Sequence, residues 1–357
     1  MPVAAQTREQ FYETMRRKLA NLVPDVELRS KADLAFRINQ LKKERNAVIL
    51  GHNYMEPALY NSIPDYTGDS LELCRKAAAT DADIIVFCGV RFMAETAKIL
   101  NPTRTVLIPS PKAGCSLAES ITAADVRALR ERFPGVPVVT YVNTYADVKA
   151  ESDICCTSGN AAKVVLSLGA ERVIFLPDEY LARNVAKETG RHIIFPTRTP
   201  RAGVDADREN PSAGALDYQM VGWQGRCEVH EKFSVEDIAA IRRQFPDVVV
   251  LAHPECSPAV VAASDFSGST AAMIAWVEKT HAPRYLLLTE CSMGDNIAAA
   301  NPRKEMLRLC SVRCPHMNEI TLEQTLASLE QTRFVVDVPE DIRSRALRAV
   351  QRMIEIG

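Results

Sequence analysis

A chain of 357 residues has room for about two or three domains of ordinary size. Its 43 basic and 45 acidic residues leave a formal charge of -2 without any block of like charges, which gives no footing for nucleic acid or a membrane surface. No apolar run approaches the ~18 residues of a membrane span and the polar N-terminus has no signal-peptide core, so a cytoplasmic protein is expected.

Helical periodicity covers 7–22 and 30–45, with Pro24 between them. From Ala47 the pattern becomes strand, loop, helix, strand, helix, strand, with strands at 47–51, 83–88 and 104–108 and helices at 70–79 and 92–100. That alternation predicts α/β architecture with parallel sheets and right-handed crossovers. The apolar run Ala47-Val48-Ile49-Leu50 reads as a buried parallel strand and ends in Gly51-His52-Asn53-Tyr54. Ligands of open parallel sheets bind beyond the carboxyl ends of the strands, which singles out His52 and Tyr54.

The same order returns twice. Strand 137–141 ends in Tyr141-Val142-Asn143-Thr144, and strands 172–176 and 192–195 follow. Val248-Val249-Val250-Leu251 ends in Ala252-His253-Pro254-Glu255, and Tyr285-Leu286-Leu287-Leu288 follows. At a near-constant distance behind each polar strand end stands a small-residue helix start: Gly68-Asp69-Ser70, Thr157-Ser158-Gly159-Asn160 and Gly268-Ser269-Thr270. One such serine is an ordinary helix cap. Three in register, each behind a polar strand end, point to anion binding at helix N-termini.

Each pass closes on a cysteine: Gly114-Cys115-Ser116, Gly225-Arg226-Cys227 and Arg313-Cys314-Pro315. Asn101-Pro102 and Asn301-Pro302 lead into the first and the third. The stretch from Cys115 to Cys227 exceeds that from Cys227 to Cys314 by about the length of segment 198–222, which reads as an inserted loop. The chain is therefore an internal triplication. Its expected domains are 1–120 with the N-terminal helices, 121–230 with the insertion, and 231–338. Helices 321–332 and 339–355 complete the chain; this tail is expected to pack back on the N-terminal helices, with 339–357 on the first domain.

Ten cysteines in such a chain argue against a disulfide framework. Cys74, Cys88, Cys155, Cys156, Cys256 and Cys291 lie on apolar strands, helices or adjoining turns and read as buried fillers. Cys310 and Cys314 resemble the start of a radical S-adenosylmethionine motif, but its third cysteine is absent; His316 is left unassigned. Three αβα domains related by pseudo-threefold symmetry would point Cys115, Cys227 and Cys314 at one axis. Three thiolates there suit a 4Fe–4S cluster with one iron free of protein ligand, or a zinc with an open position.

The motifs GHNYMEP, GDSLELCRKA, AGCSLAES, YVNTYADVKAESDICCTSGNA, GWQGRCEVHE, AHPEC and GSTAAM, in this order, closely resemble the quinolinate synthase family over about residues 30–335. The resemblance implies three αβα domains around a 4Fe–4S cluster held by Cys115, Cys227 and Cys314. It implies an enzyme that condenses iminoaspartate with dihydroxyacetone phosphate to quinolinate in NAD biosynthesis, with L-aspartate oxidase as a possible supplier of iminoaspartate. It places the substrate site on His52, Tyr54, Ser70, Tyr141, Asn143, Ser158, His230, His253, Glu255, Ser269 and Thr270. Of these, Glu255, Tyr54, His52 and His253 are the expected acid–base groups. The sequence CSVRCP around Cys314 departs from the several-cysteine cluster of some members, and segment 198–222 is longer than in compact ones. Rival readings are a zinc lyase or hydrolase on the same thiolates, and a non-catalytic sensor of a phosphorylated dicarboxylate.

Overall fold

The computed structural model describes residues 6–196, 217–309 and 312–357. They form three sheets whose strand pairings are parallel, with helices packed against them. The first sheet holds β1 (Ala47–His52), β2 (Tyr66–Gly68), β3 (Ile84–Cys88) and β4 (Thr105–Leu107). The second holds β5 (Val138–Tyr141), β6 (Ile154–Cys156), β7 (Val173–Leu176), β8 (Ile193–Ile194) and β9 (Met220–Gly222). The third holds β10 (Val249–Ala252), β11 (Phe266–Ser267), β12 (Arg284–Leu288) and β13 (Glu305–Arg308). The apolar runs of the sequence are the central strands, and β3, β5 and β7 are buried along their whole length.

Strand order is β2-β1-β3-β4, β6-β5-β7-β9-β8 and β11-β10-β12-β13. In each sheet the chain leaves its first strand to one side and then crosses back to the other. The switch point of a doubly wound sheet therefore falls at the carboxyl ends of β1, β5 and β10. There stand His52, Tyr141 and His253.

One device repeats in all three sheets. An aspartate just before the short edge strand accepts a hydrogen bond from the backbone of the first strand: Asp65 from Ile49 (2.8 Å), Asp153 from Val138 (2.7 Å) and Asp265 from Val250 (2.8 Å). Each is also paired with a cation on the helix preceding its sheet, respectively Lys42 (2.9 Å), Arg130 (2.7 Å) and Arg242 (2.9 Å). These bonds fix the register of edge strands only two or three residues long.

The sheets interlock in a ring. From the helix Arg91–Leu100 behind β3, Glu95 accepts the backbone N–H of Ala146 in the second unit (2.8 Å). From Glu179–Thr189 behind β7, Asn184 donates to the carbonyls of Pro254 (2.8 Å) and Cys256 (3.0 Å) in the third. From Cys291–Ala300 behind β12, Asn296 donates to the carbonyls of Asn53 (3.1 Å) and Met55 (2.8 Å) in the first. Each post-strand loop is thus held by the unit before it.

Three expectations are corrected. The segment 198–222 lies outside the described residues up to 216, but its end is no loop: Met220–Gly222 is β9, seated between β7 and β8. The helix Leu322–Gln331 packs on the N-terminal helix Asp25–Glu44, while the last helix, Glu340–Ile356, has its main contacts elsewhere. It lies mainly on β6 and the helix Ala146–Ala150 of the second unit, and also packs on the first, as expected, at Ser70–Ala79 and Arg91–Leu100. Its buried face is Ala346, Ala349, Val350 and Met353, narrow enough to seat closely, and Arg352 donates to the carbonyl of Asp153 (2.7 Å). The third correction is the beginning of the second N-terminal helix, which starts at Asp25, directly behind Pro24, and not at residue 30. Among the described residues no helix is long and apolar enough to cross a membrane.

Candidate active site

The three strand ends converge on one cavity. His52, Tyr54 and Ser70 line it from the first unit, Tyr141, Asn143 and Ser158 from the second, and His253, Glu255 and Thr270 from the third, together with His230, Cys115, Cys227 and Cys314. Of the residues expected from the sequence, Ser269 is the exception. Its hydroxyl caps the helix Thr270–Lys279 by accepting the N–H of Ala272 (3.3 Å), and it faces a groove outside the cavity. Ser269 is the helix cap that a serine at such a position ordinarily is.

Glu255 is the electrostatic centre. One oxygen accepts the Tyr141 hydroxyl (2.5 Å) and the Asn143 amide (3.4 Å), and the other lies 2.8 Å from His230 Nδ1. Burial opposes its ionisation, but His230, which hydrogen-bonds it, and the Tyr141 hydrogen bond outweigh burial and hold its carboxyl below the usual carboxylate range. His253 stacks on His230 with ring centroids 4.6 Å apart and meets the Ser158 hydroxyl through Nε2 (3.2 Å). Burial lowers His52 to about 4 and His253 to about 3, so both rings are neutral at pH 7. Burial raises the phenols of Tyr54 and Tyr141 well above 10, so both keep their protons. Asn143 Oδ1 is buried without a hydrogen-bond partner, an acceptor ready for a ligand donor.

The helix starts supply further donors. Ser70 opens the helix Ser70–Ala79, whose cap is Asp69. Thr270 opens Thr270–Lys279, and its hydroxyl accepts the amide of Asn53 (2.9 Å). No Lys or Arg stands among the described lining residues, so an anion here meets neutral donors and helix ends.

The three cysteines share one local geometry. The carbonyl of each accepts the N–H four residues on: Cys115 from Glu119 (3.0 Å), Cys227 from Glu231 (3.0 Å) and Cys314 from Asn318 (3.1 Å). Each sulfur meets backbone N–H groups two and three residues on, at Leu117 and Ala118, Val229 and His230, and His316 and Met317. Such a nest of amides favours a thiolate. Without a metal, burial still pushes the thiol of Cys115 up to about 12 and that of Cys314 up to about 11. The six fillers named from the sequence are all buried, whereas Cys115, Cys227 and Cys314 are half-buried; Cys310 lies outside the described residues. Gly225 lets the Cys227 loop approach: a β-carbon there would stand 2.6 Å from the Pro177 carbonyl and 2.5 Å from the Ser120 hydroxyl. A tighter donor set also exists, since Cys227, His230 and Glu255 offer ligand atoms within 4.8 Å of one another.

Some site residues have no role assigned from the sequence. His316 lines the cavity and pairs with Glu228 (3.1 Å), also a lining residue. Thr289, directly behind β12, meets both Tyr54 and His230. No motif or spacing marks a lone threonine of that kind.

The chain is similar to known proteins over nearly its whole length. Residues 36–355 match the family model described as quinolinate synthetase A protein. The chain is 52% identical over 339 residues to quinolinate synthase 2 of Mesorhizobium japonicum, covering 95% of this chain and 96% of that protein. It is 51% identical over 339 residues to the quinolinate synthase of Agrobacterium fabrum, covering 95% and 90% of the two chains. With that of Xylella fastidiosa strain 9a5c it shares 54% identity over 319 residues, 89% and 86% of the two chains.

Proposed function

Because this chain belongs to the quinolinate synthetase A family, we infer that it condenses iminoaspartate with dihydroxyacetone phosphate, giving quinolinate, phosphate and water for NAD biosynthesis. The reading makes it a cytoplasmic transferase, supplied with iminoaspartate by an enzyme such as L-aspartate oxidase. The observation that carries it is the threefold cysteine geometry on a cavity that also holds Glu255, Tyr54 and two neutral histidines.

Cys115, Cys227 and Cys314 fit a 4Fe–4S cluster. They are the half-buried thiols among the described cysteines, they come from three units, and each faces a nest of amides. Bound there with one iron free of protein ligand, the cluster would supply a Lewis acid for the dehydrating steps. A single zinc on Cys227, His230 and Glu255 is the weaker reading. His230 and Glu255 already satisfy each other, and that set leaves the matching geometry of Cys115 and Cys314 without a purpose.

The chain's own groups divide the remaining work. His52 and His253, neutral donors, and the hydroxyls of Ser70, Ser158 and Thr270 hold carboxylates or phosphate. Tyr141 and Asn143 orient Glu255. Glu255, ionised and hydrogen-bonded to His230, takes up the proton released as the carbon–carbon bond and the imine form; Tyr54, kept protonated, returns one to a leaving hydroxyl. The buried walls keep reactive intermediates from bulk water. Anaerobic purification followed by iron and sulfide analysis and an assay for quinolinate tests this reading. A colourless, zinc-replete protein that forms no quinolinate overturns it.

A further inference from the structure

Tyr54 and His230 reach the cavity from different parts of the chain, and a third residue joins them. Thr289 is 3% exposed, and its hydroxyl lies 2.5 Å from that of Tyr54 and 3.0 Å from His230 Nε2. Tyr54 itself is 3.5 Å from the same nitrogen, too far for a strong bond. The preceding strand residues Tyr285–Leu288 are buried, and a valine would fill the place of Thr289 without the cost of burying a hydroxyl. The hydroxyl is nonetheless there, and both of its bonds go to residues of the cavity.

Counting hydrogens gives these bonds a direction. Tyr54 remains a phenol and has one hydrogen, for which Thr289 is the near acceptor. The single hydrogen of Thr289 is then free for His230 Nε2. That makes Nε2 the acceptor nitrogen of the ring and leaves the ring proton on Nδ1, which is 2.8 Å from the Glu255 carboxylate and 3.2 Å from the Cys227 sulfur. The opposite tautomer would set the lone pair of Nδ1 against a negatively charged oxygen.

We propose that Thr289 is a positioning residue, whose hydroxyl accepts from Tyr54, donates to His230 Nε2 and so holds His230 in the tautomer that faces Glu255. The chain Tyr54–Thr289–His230–Glu255–Tyr141 then runs unbroken across the site. This inference rests on the quinolinate synthase reading and adds to it a residue that touches no substrate but sets two groups that do.

The test compares Thr289→Val, of equal shape without a hydroxyl, with Thr289→Ser, which keeps it, in anaerobically purified holoenzyme. The valine variant is expected to lose about 10–100-fold in kcat, the usual size of an outer-shell effect, with KM, iron content and melting temperature little changed. The serine variant is expected to recover most of that rate. A valine variant at the wild-type rate overturns the proposal, as does a serine variant as slow as valine, which would make the methyl group the part that matters. Should valine lose iron or fold poorly, Thr289→Ala takes its place beside serine. Slow turnover with iron intact then supports the proposal, and wild-type turnover overturns it. Wild-type enzyme that makes no quinolinate overturns the assigned activity, and this inference with it.

Discussion

His52 and His253 are held in the same way: the ring Nδ1 of each accepts the backbone N–H of the residue two places on, Tyr54 at 3.2 Å and Glu255 at 3.3 Å. An accepting Nδ1 in a neutral ring puts the proton on Nε2. Two equivalent strand ends therefore present Nε2–H donors. The triplication copied a tautomer along with a fold. Neutral Nε2–H groups can still donate hydrogen bonds to a ligand carboxylate or phosphate.

The same burial gives a stability prediction. The folded-state pKa values of about 4 for His52 and about 3 for His253 lie below the unfolded value of 6.5. Below 6.5 the unfolded chain takes up protons that the folded one refuses, so stability is complete above that pH and falls as pH drops toward 4. Urea unfolding of wild type should therefore show a loss of stability between about pH 7 and pH 5. A His52→Gln/His253→Gln double variant should show a smaller loss over that interval. Equal losses would mean that other groups govern the acid limb.

Cluster ligation gives the second. Replacing any one of Cys115, Cys227 or Cys314 by serine should strip most of the iron, because each supplies one of the three thiolates proposed to hold the cluster. Cys88→Ser and Cys256→Ser should keep it, since both residues are buried in apolar packing. Iron analysis after anaerobic purification decides. Retained iron in Cys115→Ser with loss in Cys256→Ser would break the assignment.

The interlocking ring gives the third. Asn184 holds the loop of His253 and Glu255 through two carbonyls, each left without that donor in Asn184→Leu. A net hydrogen bond contributes about 0.5–1.5 kcal/mol, so a stability loss of about 1–3 kcal/mol is expected in urea unfolding. The quinolinate synthase kcat/KM should fall as well, with iron retained, because the loop carries site residues. Lost stability with unchanged turnover would make the clamp purely structural.

How far the sequence could be read follows from the lengths of its signals. Ile84–Cys88 and Val173–Leu176 are unbroken apolar runs, and Ser70 and Thr270 do open helices behind the first strands, so the triplicated frame was visible. Edge strands such as Ile154–Cys156 and Phe266–Ser267 are too short to carry a period. Their marker is polar instead: Asp65, Asp153 and Asp265, each tied to a first strand, recur at matching places, but a lone aspartate carries no period. β9 escaped because three strand residues followed a segment rich in turn formers. Ser269 and Thr289 show the limit at the site. The first looked functional through its repeat and is a cap, while the second, unmarked, links Tyr54 to His230.

The fourth prediction separates proton transfer from positioning at Glu255. The carboxylate accepts from Tyr141 (2.5 Å) and from His230 (2.8 Å), so Glu255→Gln keeps shape and reach but must turn its amide nitrogen toward one of these donors. Tyr141 can rotate its hydroxyl and accept instead, since its phenol oxygen has free lone pairs. His230 loses its anionic partner. If Glu255 moves protons, turnover should fall about 10²–10⁴-fold, the usual contribution of general acid–base catalysis. Quinolinate carries two carboxylates, so its binding should hold or tighten once the negative charge is gone. His253→Ala should do the opposite, weakening quinolinate binding through the lost Nε2–H donor while its effect on turnover is smaller. Calorimetric titration with quinolinate beside single-turnover rates distinguishes the two. Should Glu255→Gln lose product affinity in proportion to rate, Glu255 only positions its neighbours, and the proton shuttle passes to Tyr54 and His52.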